Sequence, residues 1–127
     1  MSYNVLIVDD SRITRCVVRK SIAMSGVALG EVYEAGNGKE ALAVLGAKWV
    51  DIVFSDLSMP EMGGLELVER MAADQLLLSI PVVVVSSEQS ERLAAELKSR
   101  GVRGYVRKPF RPESLREVIT EVLGRPQ

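Results

Sequence analysis

Asp51-Ile-Val-Phe-Ser-Asp-Leu-Ser-Met-Pro-Glu-Met-Gly-Gly64 is the stretch on which the fold is decided. Its apolar run, Ile52 to Phe54, has the character of a strand buried on both faces. The run ends at a carboxylate, Asp56. Pro60, Gly63 and Gly64 then interrupt regular structure, and a helical pattern begins at Leu65. A carboxylate at the exit of a buried strand, followed by a tight loop, stands where open α/β sheets place their ligands. Taken alone, Asp56 reads more simply as a turn-favouring residue that caps its loop. The rest of the chain decides between the two.

Outward from that strand, the chain alternates between two periodicities. Residues 4–8 form an apolar run, residues 31–35 a weaker strand, and residues 80–85 the most strand-like segment of all. Pro81 stands near the start of that segment, where a missing N–H is tolerated. Residues 101–107 read as a short fifth strand. Between these runs, helical patterns cover residues 12–25, 39–47, 65–74, 88–100 and 112–123. The first helix has Thr14, Val17, Val18, Ser21 and Ile22 on one face, only moderately apolar. The last has Leu115, Val118, Ile119, Val122 and Leu123 on one stripe and is the clearest amphipath. Five strands alternating with five helices imply parallel βαβ units with right-handed crossovers, in one α/β domain over residues 1–127.

Composition narrows the function. With 127 residues, 47% of them hydrophobic, the chain can bury a proper core and is not a disordered sequence. A net charge of −1 argues against nucleic-acid binding by electrostatics alone. No apolar run approaches the roughly 20 residues of a membrane span, and no signal peptide is apparent. The single cysteine, Cys16, fits a reducing cytoplasm. The absence of histidine excludes serine–histidine and cysteine–histidine couples, imidazole metal ligands and a phosphohistidine on this chain.

The polar residues at the strand exits carry the chemistry. The first strand ends in Asp9-Asp10, the third in Asp56, the fourth in Ser86-Ser87 and the fifth in Lys108-Pro109. Each alone has a plain reading: a helix cap for the aspartates and serines, a solvated charge for the lysine. In a parallel sheet, however, all of these exits lie on one edge. Three carboxylates in one pocket repel by several kcal/mol per close pair at an effective dielectric of about 20. A divalent cation relieves that repulsion, and an all-oxygen donor set favours Mg²⁺ or Mn²⁺ over zinc. A lysine and a hydroxyl facing the same place suit a phosphoryl group.

Asp9-Asp10, Asp56-Leu-Ser-Met-Pro-Glu-Met-Gly-Gly64, Val85-Ser86-Ser87 and Tyr105-Val-Arg-Lys-Pro-Phe110 resemble the motifs of the receiver domain of bacterial two-component response regulators. The resemblance spans the chain and is to a single-domain receiver like the chemotaxis regulators. It implies a doubly wound, flavodoxin-like sheet in strand order 2-1-3-4-5 with helices on both faces; a chemotaxis member of this family is a standard example of that order. It implies Asp56 as phosphoacceptor, Asp9 and Asp10 as the acidic pair for Mg²⁺, and the Ser58 backbone carbonyl as a further metal ligand. Ser86 matches the switch hydroxyl, Lys108 the phosphoryl-binding lysine and Tyr105 the aromatic switch. Ser58 and Glu88 fall where dephosphorylation rate is tuned, and Lys108–Pro109 is expected to be cis. Two residues depart from the family pattern, Ser86 standing for the commoner threonine and Ser87 for alanine.

The resemblance also implies partners. The donor would be a sensor histidine kinase or a histidine phosphotransfer protein. The output would be contact with another protein through the fourth helix, fifth strand and fifth helix, where Arg92, Lys98, Arg100, Arg103, Arg107, Arg111 and Arg116 gather. No nucleic acid and no membrane are expected as direct partners. A receiver portion of a longer regulator differs from this reading only in output. A metal-dependent phosphatase with Asp56 as nucleophile would want a second carboxylate at position 58, where Ser58 stands. A flavodoxin-like cofactor protein would meet repulsion between Asp9-Asp10 and flavin phosphate.

Overall fold

In the computed structural model, which describes residues 2–88 and 90–124, strands and helices alternate along the chain. They are β1 (Tyr3–Val8), α1 (Arg12–Met24), β2 (Leu29–Ala35), α2 (Gly38–Ala47), β3 (Ile52–Ser55), α3 (Gly64–Ala72), β4 (Val82–Ser86), α4 (Glu91–Ser99), β5 (Gly104–Arg107) and α5 (Pro112–Leu123). The strands form one sheet in the order β2-β1-β3-β4-β5, and every pairing is parallel. This is the expected doubly wound order.

Alternation along the strands divides the core into two layers. Leu6, Val8, Val53, Val82 and Val84 face α2, α3 and α4, where Ala41, Leu45, Leu67, Val68 and Leu97 complete the packing. Val5, Ile7, Ile52, Phe54, Val83 and Val85 face α1 and α5, packing on Val18, Ile22, Leu115, Val118 and Ile119. Central strands covered on both sides have no polar face to show, which is why β3 and β4 read as continuous apolar runs.

Several expected boundaries move. The fourth helix starts at Glu91, because Ser90 is its N-cap and accepts a hydrogen bond from Leu93 N–H at 3.2 Å. Glu88 therefore lies in the β4–α4 loop, and residue 89 of the expected helix falls outside the described residues. The fifth strand starts at Gly104, because residues 101 and 102 close the end of α4: Gly101 has φ +103° and Val102 N–H bonds back to the Leu97 carbonyl at 3.0 Å. On α1, Val18 and Ile22 are buried, but Val17 is 50% exposed and Ile13 78% exposed, so the buried stripe excludes Val17. No helix among the described residues is long and apolar enough to cross a membrane.

Candidate functional site

Parallel pairing carries the strand ends to one edge, and the hydrogen-bond ladder continues just past them. Asp9 N–H bonds to Ala35, Asp56 N–H to Val8 and Lys108 N–H to Ser86, at 3.0, 2.9 and 2.8 Å to the carbonyl oxygens. Backbone geometry, rather than side-chain chance, thus sets where the polar residues emerge. Asp9, Asp10 and Asp56 each offer a carboxylate oxygen, all within 4.8 Å of one another. Asp9 is buried, Asp56 half-buried and Asp10 exposed. Lys108 Nζ lies 3.5 Å from Asp9 Oδ2, while Asp9 Oδ1 accepts from Ser11 N–H at 2.8 Å.

Asp56 has an unusual balance. Burial pushes its carboxyl above the ordinary carboxylate range; the Leu57 N–H, bonded to Oδ1 at 2.8 Å, and the Lys108 charge pull it down, while Asp9 and Asp10 push it up again. The β3–α3 loop is folded tightly over this residue. A Cβ on Gly64 would overlap the Asp56 carbonyl oxygen, and one on Gly63 would sit 2.6 Å from the Leu57 carbonyl oxygen. Only glycines allow that approach. The loop is also tied to the start of α2, through Gly38 N–H to the Met62 carbonyl at 2.9 Å and Asn37 Nδ2 to the Glu61 carboxylate at 3.2 Å. Ser58 is exposed on this loop, two residues beyond Asp56.

The remaining predicted residues meet at Glu88. Ser86 is buried, and its Oγ accepts from Glu88 N–H at 3.2 Å. Tyr105 is half-buried and its hydroxyl donates to the Glu88 carbonyl. One backbone residue of the β4–α4 loop is thus held at both ends by the hydroxyl side chains of two strands. The Lys108–Pro109 peptide is cis, as expected. Not every predicted basic residue points outward for a partner: Arg100 pairs with Glu69 of α3 at 2.8 Å and with Glu96 at 3.6 Å.

Two features escaped the sequence reading. A shallow apolar cleft of about 230 Å³, lined by Ile13, Thr14, Val17, Lys108, Pro109 and Phe110, opens beside the lysine. Its only sequence signal was Ile13 and Val17, four residues apart and flanked by polar side chains. The second is Arg15, whose Nη1 donates to the Asp9 carbonyl at 2.5 Å and whose Nε pairs with Glu34 at 2.9 Å.

The response regulator receiver domain family model matches residues 5–120. The chain belongs to the response regulator receiver family. It is 34% identical over 120 residues to chemotaxis protein CheY1 of Helicobacter pylori, covering 94% of this chain and 95% of that protein. It is 32% identical over 121 residues to chemotaxis protein CheY-3 of Vibrio cholerae, covering 95% and 92%. Among solved structures, chemotaxis response regulator CheY4 of Vibrio cholerae superposes with a TM-score of 0.84 at 33% identity, covering 96% of this chain and 99% of that one. Receiver domains are signalling modules controlled by phosphorylation, not metabolic enzymes, and they work with histidine kinases and downstream targets.

Receiver domains bind Mg²⁺ through acidic residues, and the donor set here fits that ion. All three side chains offer hard oxygens. Octahedral Mg²⁺ with contacts of about 2.1 Å places ligand oxygens roughly 3 to 4 Å apart. A cluster contained within 4.8 Å is near that spacing already.

Proposed function

We propose that residues 1–127 act as one receiver domain whose Asp56 accepts a phosphoryl group and thereby changes a protein-binding face. The observation that carries this reading is the convergence of Asp56 with Asp9, Asp10 and Lys108 at one sheet edge. Since the chain has no histidine, the group comes from a sensor histidine kinase, a histidine phosphotransfer protein or a small acyl phosphate. The apolar cleft of Ile13, Val17, Pro109 and Phe110 beside Lys108 is read as the seat of the protein donor.

Asp56 Oδ1 is held by Leu57 N–H, which leaves Oδ2 as the nucleophile. Its lone pair attacks phosphorus in line, the donor P–N bond breaks, and the electron pair leaves with the imidazole. The product is an acyl phosphate on Asp56. Asp9, Asp10, the Asp56 carboxylate and the Ser58 carbonyl would hold Mg²⁺, or Mn²⁺ in its place, and the ion supplies positive charge against the phosphoryl oxygens. Lys108 turns from Asp9 to a phosphoryl oxygen and adds a charge-assisted contact. Attack by water on the same phosphorus breaks its bond to Asp56, releases inorganic phosphate and ends the signal, at a rate tuned by the exposed residues Ser58 and Glu88.

The switch begins at Glu88. When Ser86 Oγ turns to the phosphoryl group, the Glu88 N–H loses its acceptor, and the same residue's carbonyl is in the grip of Tyr105. Movement of the loop is thereby coupled to Tyr105 and to the face of α4, β5 and α5. Taking the population from mostly inactive to mostly active requires about 5 kcal/mol of differential contact. A hydroxyl contact of about 0.5–1.5 kcal/mol, a lysine contact and the metal together are of that order. The output partner is a protein, met by a face that carries Arg92, Lys98, Arg103, Arg107, Arg111 and Arg116. A cytoplasmic setting suits a lone, exposed cysteine.

The test is intact mass after incubation with acetyl phosphate and Mg²⁺. One phosphoryl group, acid-stable and base-labile, is expected, and it should vanish in EDTA and in Asp56→Asn. Full modification in EDTA, or unchanged modification of Asp56→Asn, rejects the reading.

A further inference from the structure

We propose that Arg15, clamped by Glu34, is a positioning residue that sets the metal affinity of the Asp9–Asp10 pair. The inference rests on the metal-binding reading given above. Asp9 is held at four points: its N–H by Ala35 at 3.0 Å, its Oδ1 by Ser11 N–H at 2.8 Å, its Oδ2 by Lys108 at 3.5 Å and its carbonyl by Arg15 at 2.5 Å. The first two anchors are backbone groups. The third is the side chain that must leave when a phosphoryl group arrives. Among the described residues, Arg15 is therefore the one side chain whose hold on the Asp9–Asp10 peptide does not have to be released during the cycle.

The guanidinium is itself fixed. Its Nε pairs with Glu34 Oε1 at 2.9 Å, and Glu34 Oε2 is occupied by Arg19 at 2.8 Å. Glu34 stands on β2 opposite Ile7 of β1, next to the Ala35–Val8 pair that precedes the acidic residues. Arg15 is only 18% exposed, whereas Arg19, which among the described residues pairs with Glu34 and with none of the acidic site residues, is 51% exposed. The planar guanidinium reaches Glu34 through Nε and the Asp9 carbonyl through Nη1 at once; a lysine ammonium of the same charge cannot span both in that fixed geometry.

Charge and position make opposite predictions here, so they can be separated. A nearby cation repels an incoming metal ion; on charge alone, Arg15→Met should bind metal more tightly and Arg15→Lys should bind it unchanged. Partners that orient metal ligands typically contribute 10–100-fold in affinity. As a positioning residue, Arg15 predicts about tenfold weaker binding in both variants, with a smaller loss in Glu34→Gln, where the guanidinium remains but its clamp is weakened.

The experiment is titration of Mn²⁺ into the metal-free protein, followed by loss of the free-ion electron paramagnetic resonance signal, with Mg²⁺ as competitor. Circular dichroism melts without metal verify that each variant is folded; should either Arg15 variant fail to fold, Arg15→Gln, for which charge alone again predicts tighter binding and position weaker, takes its place. Weaker binding by folded Arg15→Lys and Arg15→Met, with Arg19→Met like wild type, supports the inference. Equal or tighter binding by the folded variants overturns it while leaving the metal site standing. Absence of binding by wild type overturns the metal reading and this inference together.

Discussion

Asp51 and Asp56 bracket the same strand, and their surroundings could hardly differ more. At the N-terminal edge of the sheet, Asp51 Oδ2 accepts from Asn4 N–H at 2.7 Å, and Asp51 N–H bonds back to the Asn4 carbonyl at 2.8 Å. The Asn4 side chain continues the stitching, to the Trp49 carbonyl at 3.0 Å and from Glu31 N–H at 2.9 Å. Here a carboxylate spends its lone pairs on joining β1 to the entry of β3. At the C-terminal edge, Asp56 keeps one oxygen for Leu57 N–H and turns towards two more carboxylates and a lysine. One residue type thus closes a structure at one end of β3. At the other end it stores unfavourable charge that a ligand can relieve.

The largest consequence of that difference lies in the metal. Asp10→Asn removes a charge that no hydrogen bond among the described residues employs. It should weaken Mg²⁺ binding at least as much as the roughly 10–100-fold typical of outer-shell losses, with little effect on unfolding. Titration of metal into the folded variant checks both halves, and a variant that binds Mg²⁺ like wild type breaks the contrast.

The switch residues should give partial effects. Ser86→Ala leaves the carboxylates and Lys108 in place, so modification by acetyl phosphate should persist. It removes a contact of about 0.5–1.5 kcal/mol, or up to about 3 kcal/mol against a charged group, from the 5 or so that the transition requires. Partner binding by the phosphorylated protein should therefore fall without vanishing. Tyr105→Ala releases the Glu88 carbonyl and should do likewise. Calorimetry with the cognate target decides; wild-type binding by both variants would make these residues ordinary packing.

A smaller effect concerns pH. The Asp56 carboxyl titrates above its ordinary value in the metal-free fold, chiefly through burial. Between the two values the native state holds a proton that the unfolded chain has lost, so stability falls as pH rises through that window. Asp56→Asn lacks this dependence. Its gain in urea midpoint over wild type should be nil below the ordinary aspartate range, near pH 4, grow across the window and then level off. A gain that shrinks with rising pH has the wrong sign for the proposed environment.

The smallest response is expected from Trp49, which is 79% exposed and precedes β3 at the far edge. About 20 Å of extended chain separates it from Asp56. Its emission should barely respond to Mg²⁺, and a large quench would mean that metal binds elsewhere or that the two edges communicate.

How much of this was legible depended on whether the signal was local. β1, β3 and β4 were plain in the sequence because strands covered on both faces must be apolar throughout. Asp9, Asp10, Asp56, Ser86 and Lys108 followed, since parallel order alone carries their strand exits to one edge. The start of α4 was not plain: Ser86, Ser87 and Ser90 are all suitable caps, and only the hydrogen bond to Leu93 N–H singles out Ser90. The exposure of Val17 was missed because α1 carries few apolar residues to fix its rotation, and contact with α5 decides the buried side. The early start of β2 at Leu29 was hidden by Gly30, which makes room for the Asn4 side chain. Arg15 depends on the register between β1 and β2, a relation that no local pattern contains.

The two ends of β3 can be tested against each other in one paired measurement. Asp56→Asn keeps an acceptor for Leu57 N–H but removes the charge and the nucleophile; Asp51→Ala removes the acceptor for Asn4 N–H. Each variant is incubated with acetyl phosphate and Mg²⁺, weighed intact, and unfolded in urea without metal at neutral pH. The expected result is that Asp56→Asn gains no phosphoryl group and is more stable than wild type. Asp51→Ala should gain one phosphoryl group and lose about 1–3 kcal/mol of stability. A phosphoryl group on Asp56→Asn, or its loss from a folded Asp51→Ala, would contradict the assignment of chemistry to one edge of the sheet and closure to the other.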